Sequence, residues 1–126
     1  MRRLYFPAAL FIAVALASCG AAIPEGQGIR GMVLLGPNCP VVQEGEPCPD
    51  TLFETELVVT GADGAREILR FASDADGTFE VKLPVGDYAI RSPEGTTLPY
   101  CMTNVTLSVR PGLMTETIVY CDTGIR

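Results

Sequence analysis

The stretch from Asp74 to Ile90, DADGTFEVKLPVGDYAI, constrains the fold more than any other part of the chain. Phe79, Val81 and Leu83 point to one side of an extended backbone, while Thr78, Glu80 and Lys82 point to the other. That period of two is what a strand with one buried face requires; an amphipathic helix would repeat every 3.6 residues. Asp76-Gly77 ahead of it supplies a tight reversal, because Gly tolerates positive φ and Asp can accept from backbone just beyond itself. Pro84-Val85-Gly86 turns the chain again, and Tyr88 and Ile90 then resume the inward alternation. The pattern predicts a β-meander with Tyr88 in the core.

The same signals recur on both sides. Residues 28–35 (GIRGMVLL) read as a first strand. Residues 36–50 (GPNCPVVQEGEPCPD) are crowded with Pro and Gly and read as a loop. Residues 54–61 set Leu57 and Val59 against Glu56 and Val58, and Asp63-Gly64 makes the next turn. Residues 65–73 form a strand with Leu69 and Phe71 inward, and residues 92–100 form a loop. The last two strands, 101–109 and 113–121, are joined through Arg110-Pro111-Gly112. No helical periodicity occurs beyond the first twenty residues, and no internal repeat is visible. Seven short strands with frequent turns predict an all-β, seven-stranded, Greek-key-like β-sandwich.

The N-terminus reads differently. Arg2 and Arg3 precede an apolar run of fourteen residues, 4–17. A bilayer span needs roughly twenty, so the run reads as a secretory signal over residues 1–18. Leu16-Ala17-Ser18-Cys19 resembles the lipobox of bacterial lipoproteins. That resemblance implies lipid attachment at Cys19, which becomes the mature N-terminus; an ordinary secretory signal ahead of a free Cys is the plainer alternative. Gly20, rather than Asp, follows the cysteine, and by the same analogy this favours the outer membrane, facing the periplasm. Residues 19–27 read as a tether and 28–126 as the domain.

Composition narrows the function. The chain carries −6, and losing Arg2 and Arg3 leaves seven basic against fifteen acidic residues, or −8. Such a field repels a phosphate backbone, so no nucleic-acid partner is expected. There is no His, which removes the usual neutral-pH base and the commonest metal ligand. Ser73, Ser92 and Ser108 therefore have no partner for nucleophilic catalysis. Asp74-Ala75-Asp76-Gly77 lacks the later acids of a calcium loop and is explained as a turn. Asn104-Val105-Thr106 matches a glycosylation acceptor by chance, and the pairs Glu44/Glu46 and Glu54/Glu56 read as solvated faces. No cofactor is expected.

Four cysteines remain beyond Cys19, and export makes two disulfides the expectation. Three pairings are possible. If Arg110-Pro111-Gly112 closes a hairpin, Val109 faces Leu113, and the same register sets Cys101 directly opposite Cys121. A one-residue slip would put their sulfurs on opposite faces. Cys39 is then left with Cys48, closing an otherwise unsupported loop.

The motif Asp74-x-Asp76-Gly77-x-Phe79 followed by Pro84-x-Gly86-x-Tyr88 resembles the hairpin of carboxypeptidase regulatory-like domains. Gly36, Pro37, Cys39, Pro40, Val41, Gly45, Pro47, Cys48, Pro49 and Asp50 are similar to an insertion found in many bacterial members. The resemblance implies a transthyretin-type (prealbumin-like) sandwich; Cys101 and Cys121 stand outside its usual pattern. The hydroxyisourate hydrolases of this fold type use His and a C-terminal Tyr-Arg-Gly-Ser, and neither is present, so their activity is not implied. The expected function is a non-catalytic, lipid-anchored binding or scaffold module at the envelope, its partner an envelope protein or a glycan; the alternatives are a carbohydrate-binding module there and, more remotely, an enzyme of unknown type. Tyr100, beside Leu98-Pro99, is the expected exposed ligand platform, with Tyr120 a further aromatic.

Overall fold

The computed structural model describes residues 22–40, 45 and 47–125. The signal segment 1–18, lipid attachment at Cys19 and the first part of the tether lie outside the described residues.

The described residues form nine strands and no helix: β1 (Gly28–Gly36), β2 (Thr51–Leu52), β3 (Glu56–Gly61), β4 (Glu67–Ala72), β5 (Thr78–Lys82), β6 (Gly86–Arg91), β7 (Tyr100–Met102), β8 (Leu107–Val109) and β9 (Met114–Asp122). They belong to one mixed, curled sheet, ordered β2-β1-β9-β7-β6-β3-β4, with β5 also on β1 and β8 also on β6. β1 and β9 run parallel from Gly28↔Met114 to Gly36↔Asp122, and every other pairing is antiparallel. The curl sets one half-sheet (β5 and β2, β1, β9) across from another (β4, β3, β6, β8). β7 joins the halves by pairing with both β6 and β9.

One core fills the space between. Ile29, Val33, Phe79, Val81 and Val119 enter it from the first half, and Leu57, Val59, Ile90, Leu107 and Val109 from the second. Leu69 and Phe71 pack on it half-buried, as alternation predicts, and the Phe71 and Phe79 rings lie 5.1 Å apart. Tyr88 points inward, and its hydroxyl donates to the Pro84 carbonyl at 2.7 Å, satisfying the one polar atom it carries in. Burial raises the pKa of that phenol.

Three expectations need correction. Strands occupy each of the seven predicted stretches, but the count is nine. Residues 101–109 split into β7 and β8 after Thr103: its N–H still donates to Ile90 O at 2.9 Å, but its side-chain hydroxyl accepts the Ile90 N–H at 3.1 Å, and pairing with β6 resumes in a shifted register at Tyr88↔Leu107. β2 is a two-residue addition opposite Leu34 and Leu35. The meander is also wrong, since β5 pairs with β1 and β6 with β3. Pro84-Val85-Gly86 thus carries the chain across the core, and Phe79 and Val81 face Tyr88 and Ile90 instead of lying beside them. Lastly, Arg110-Pro111-Gly112 does not close a paired hairpin, because β8 pairs with β6. Its register survives at the other end nonetheless: Cys101↔Cys121 are direct partners between β7 and β9, with Cα atoms 3.9 Å apart and the sulfurs bonded. Cys39 is bonded to Cys48, its Cα 6.2 Å away.

The turn before β5 forms as its residues dictate. Gly77 sits at φ +77° and donates to Asp74 O at 2.8 Å, while Asp74 N donates to Thr78 O at 2.8 Å. A Cβ at Gly77 would also crowd Leu52 and Phe53, so glycine is needed twice over. Asp76 accepts from the Thr78 hydroxyl at 2.7 Å and from its N–H at 3.2 Å, and these two bonds lower its pKa.

Candidate functional site

In β1 and β9 apolar residues occupy both faces. Ile29, Val33 and Val119 face the core, so Met32, Leu34, Ile118 and Tyr120 must face out. The parallel register aligns these outward residues in rows across the half-sheet. One row runs Leu52, Leu34, Tyr120, Met102; the next runs Thr78, Met32, Ile118; a third runs Glu80, Arg30, Glu116. The first two rows leave Leu52, Met32, Ile118, Tyr120 and Met102 exposed. β1 and β9 can lie this close because residue 31 is glycine: a Cβ there would collide with the Thr117 carbonyl.

An open groove of about 910 Å³ lies over this face. Met32 and Ile118 form its floor. Asp74 and Thr78 border it on the β5 side, and Asn104-Val105 of the β7–β8 connection border it on the other. One end is closed by the exposed ion pair of Arg30, whose Nε and Nη2 lie 3.0 and 2.8 Å from Glu116 Oε1. An exposed pair of this kind adds about 0–1 kcal/mol to stability, so its interest is as a charged border. Tyr120 closes the other end.

Past Tyr120 is a smaller hollow of about 320 Å³, which shares Tyr120 and Asn104 with the groove and adds Leu98, Tyr100, Met102 and Asp122. This is where Tyr100 lies. It is half-buried, less open than predicted, and the aromatic residue exposed at the junction of the two hollows is Tyr120 at 47%. The disulfide cysteines serve the frame: Cys101–Cys121 lies in the core behind this junction, and Cys39–Cys48 closes the 36–50 loop. Sequence reasoning missed Met32, Ile118 and Met102. The signal for Met32 and Ile118 was the presence of apolar residues at successive positions in both 28–36 and 114–122, which a strand with one wet face does not need.

The arrangement is suited to contact. Its apolar floor, aromatic junction and polar borders can desolvate a partner and orient it through a few hydrogen bonds. Among the described residues, no group of three or more His, Cys, Asp or Glu is placed to hold a metal ion. Comparison with protein-family models, with curated proteins and with solved structures finds no match to this chain.

Proposed function

We propose that the chain is a bacterial lipoprotein, moored by lipid at Cys19 to the outer membrane and facing the periplasm. On this reading residues 28–126 are a carboxypeptidase regulatory-like sandwich of transthyretin type. They act as a non-catalytic binding or scaffold module, with the groove over β1 and β9 as the surface that meets the partner. The observation that carries the proposal is the bare pair of apolar rows: contiguous exposed apolar surface rimmed by polar groups marks an interaction site. The lipobox resemblance supports the anchor, and the bridging of Cys39, Cys48, Cys101 and Cys121 supports an oxidising compartment. The repeated crossing of the chain between the half-sheets supports a Greek-key arrangement.

A photoreactive residue at Ile118, activated in intact cells and followed by mass spectrometry, tests the binding face. A discrete envelope adduct at Ile118 but not at Ile68, which is exposed on the other half-sheet, is expected; equal labelling at both would overturn the assignment. The same spectra should report acylated Cys19, and unacylated protein from native membranes would overturn the anchor.

A second reading, a carbohydrate-binding module, is favoured by Tyr100 and Tyr120 lining one hollow with Asn104 and Asp122, since sugars stack on aromatic faces while bonding to amides and carboxylates. Retention on peptidoglycan or glycan arrays that is lost in both Tyr100→Ala and Tyr120→Ala would support it. No retention would count against it.

A further inference from the structure

We infer that the end of the domain where the tether enters rests on the bilayer, the tips of two turns, 84–86 and 110–113, reaching into the headgroup layer. This rests on the anchored reading and adds an orientation to it. Three segments meet at that end. Gln27 is buried; its Nε2 donates to Leu83 O at 2.9 Å, and its Oε1 accepts from Gly112 N at 3.0 Å. Its backbone joins in, with Leu83 N donating to Gln27 O at 3.3 Å. The tether is therefore fixed between the two turns before β1 begins. From Cys19 to Gln27 the sequence allows eight residue steps, which extended span at most about 28 Å.

What the turns present is apolar. Val85 is 56% exposed and Leu113 58%, beside the exposed Pro84 and Pro111, with Lys82 and Arg110 flanking them. Charges here offset one another: Lys82 and Arg110 stand against Glu25 and Asp87, and Asp63 against Arg66 on the β3–β4 turn, which ends at this level by the Gly61↔Tyr88 pairing. Asp87 also accepts from the Ser108 hydroxyl at 2.8 Å. At the opposite end the loops and the end of β9 carry Asp50, Glu54, Asp74, Asp76, Glu94 and Asp122, against which the described residues set Arg91, the last residue of β6. Leu98 at that end is as exposed as Leu113, so exposure alone does not choose between the ends. Charge and the point of attachment do: an anionic leaflet repels the acidic end and tolerates the neutral one. The strands then rise from the membrane, and the groove over β1 and β9 opens sideways.

The sequence has no Trp, so Val85→Trp, Leu113→Trp and Leu98→Trp each introduce a single reporter. The full chain, purified from membranes of the expressing bacterium, is reconstituted into phosphatidylethanolamine–phosphatidylglycerol vesicles containing brominated lipid. Quenching of about half the emission or more is expected at positions 85 and 113, and of about a tenth or less at position 98, as interfacial depth requires. Weak quenching at all three sites in protein that still floats with the vesicles overturns the orientation while leaving the anchor standing. Stronger quenching at position 98 overturns the orientation as well. Protein that does not float overturns both.

Discussion

The two half-sheets carry similar strands and treat their outer faces in opposite ways. On the second half, Val58 points away from the core yet is fully buried, as is Thr60. Val58 lies between Arg70 on β4 and Arg91 on β6, its partners in register. Arg91 donates to Gly64 O and Ser92 O, each at 2.9 Å; Arg70 reaches Glu56 at 3.1 Å and Glu67 at 2.9 Å. Both arms are held down over the valine, aliphatic stems inward and charged heads outward. A bulge between Val59 and Thr60 helps by setting Glu67, not Ile68, opposite Thr60 and so on the arginine side. Nothing in the described structure covers Met32 and Ile118 in this way. The contrast teaches that an apolar outer row is not by itself a binding surface; it becomes one where no long side chain is tied across it.

The sharpest way to break that contrast is to place a charge on each face. Val58→Asp buries a carboxylate and should cost about 3 kcal/mol or more by urea denaturation. Ile118→Asp should cost about 1 kcal/mol or less yet abolish crosslinking from a photoreactive residue placed at Met32, its neighbour in the groove; equal losses of stability would erase the distinction. Next in size, Cys101→Ala with Cys121→Ala, which unties the halves at β7–β9, should cost about 3 kcal/mol by loop entropy. Removing a covering arm, Arg91→Ala, should cost about 1–2 kcal/mol through its carbonyl bonds and the stem over Val58. Arg30→Ala on the bare half should cost about 0.5 kcal/mol or less, since its ion pair is exposed. The smallest effect is a pH profile. The Tyr88 phenol has a raised pKa in the folded chain, so its contribution is complete below about 10, the unfolded value, and is lost as pH rises through the folded one. Alkaline melts should show that loss in the parent and not in Tyr88→Phe.

What the sequence made legible was local. Asp76-Gly77 and the alternation of Phe79, Val81 and Leu83 fixed a turn, a strand and its buried face, since these depend on residues a few positions apart. Which strand lies alongside was not legible, because alternation describes a face and not a neighbour. β5 and β6 were therefore read as adjacent when they face each other across the core. The Cys101–Cys121 register was recovered because both cysteines lie equally far from the Arg110-Pro111-Gly112 turn, even though the strands part beside it. The groove was out of reach for the same reason as the meander: its rows exist only once residues 28–36 lie parallel to 114–122, a contact over 86 positions that no local signal announces. Leu98-Pro99 ahead of Tyr100 favours it over Tyr120 as the exposed platform, yet Tyr120, inside a predicted strand, is the more open of the two.

The nine-residue parallel ladder between β1 and β9 also has a mechanical consequence. Force applied to the chain ahead of Gly28 is directed along β1, which is gripped by β9 on one edge and by β5 and β2 on the other. Slipping it demands that the bonds on both edges rupture together, whereas a strand peeled from its end yields one bond at a time. The part of the molecule nearest a tug is thus the part least able to unravel.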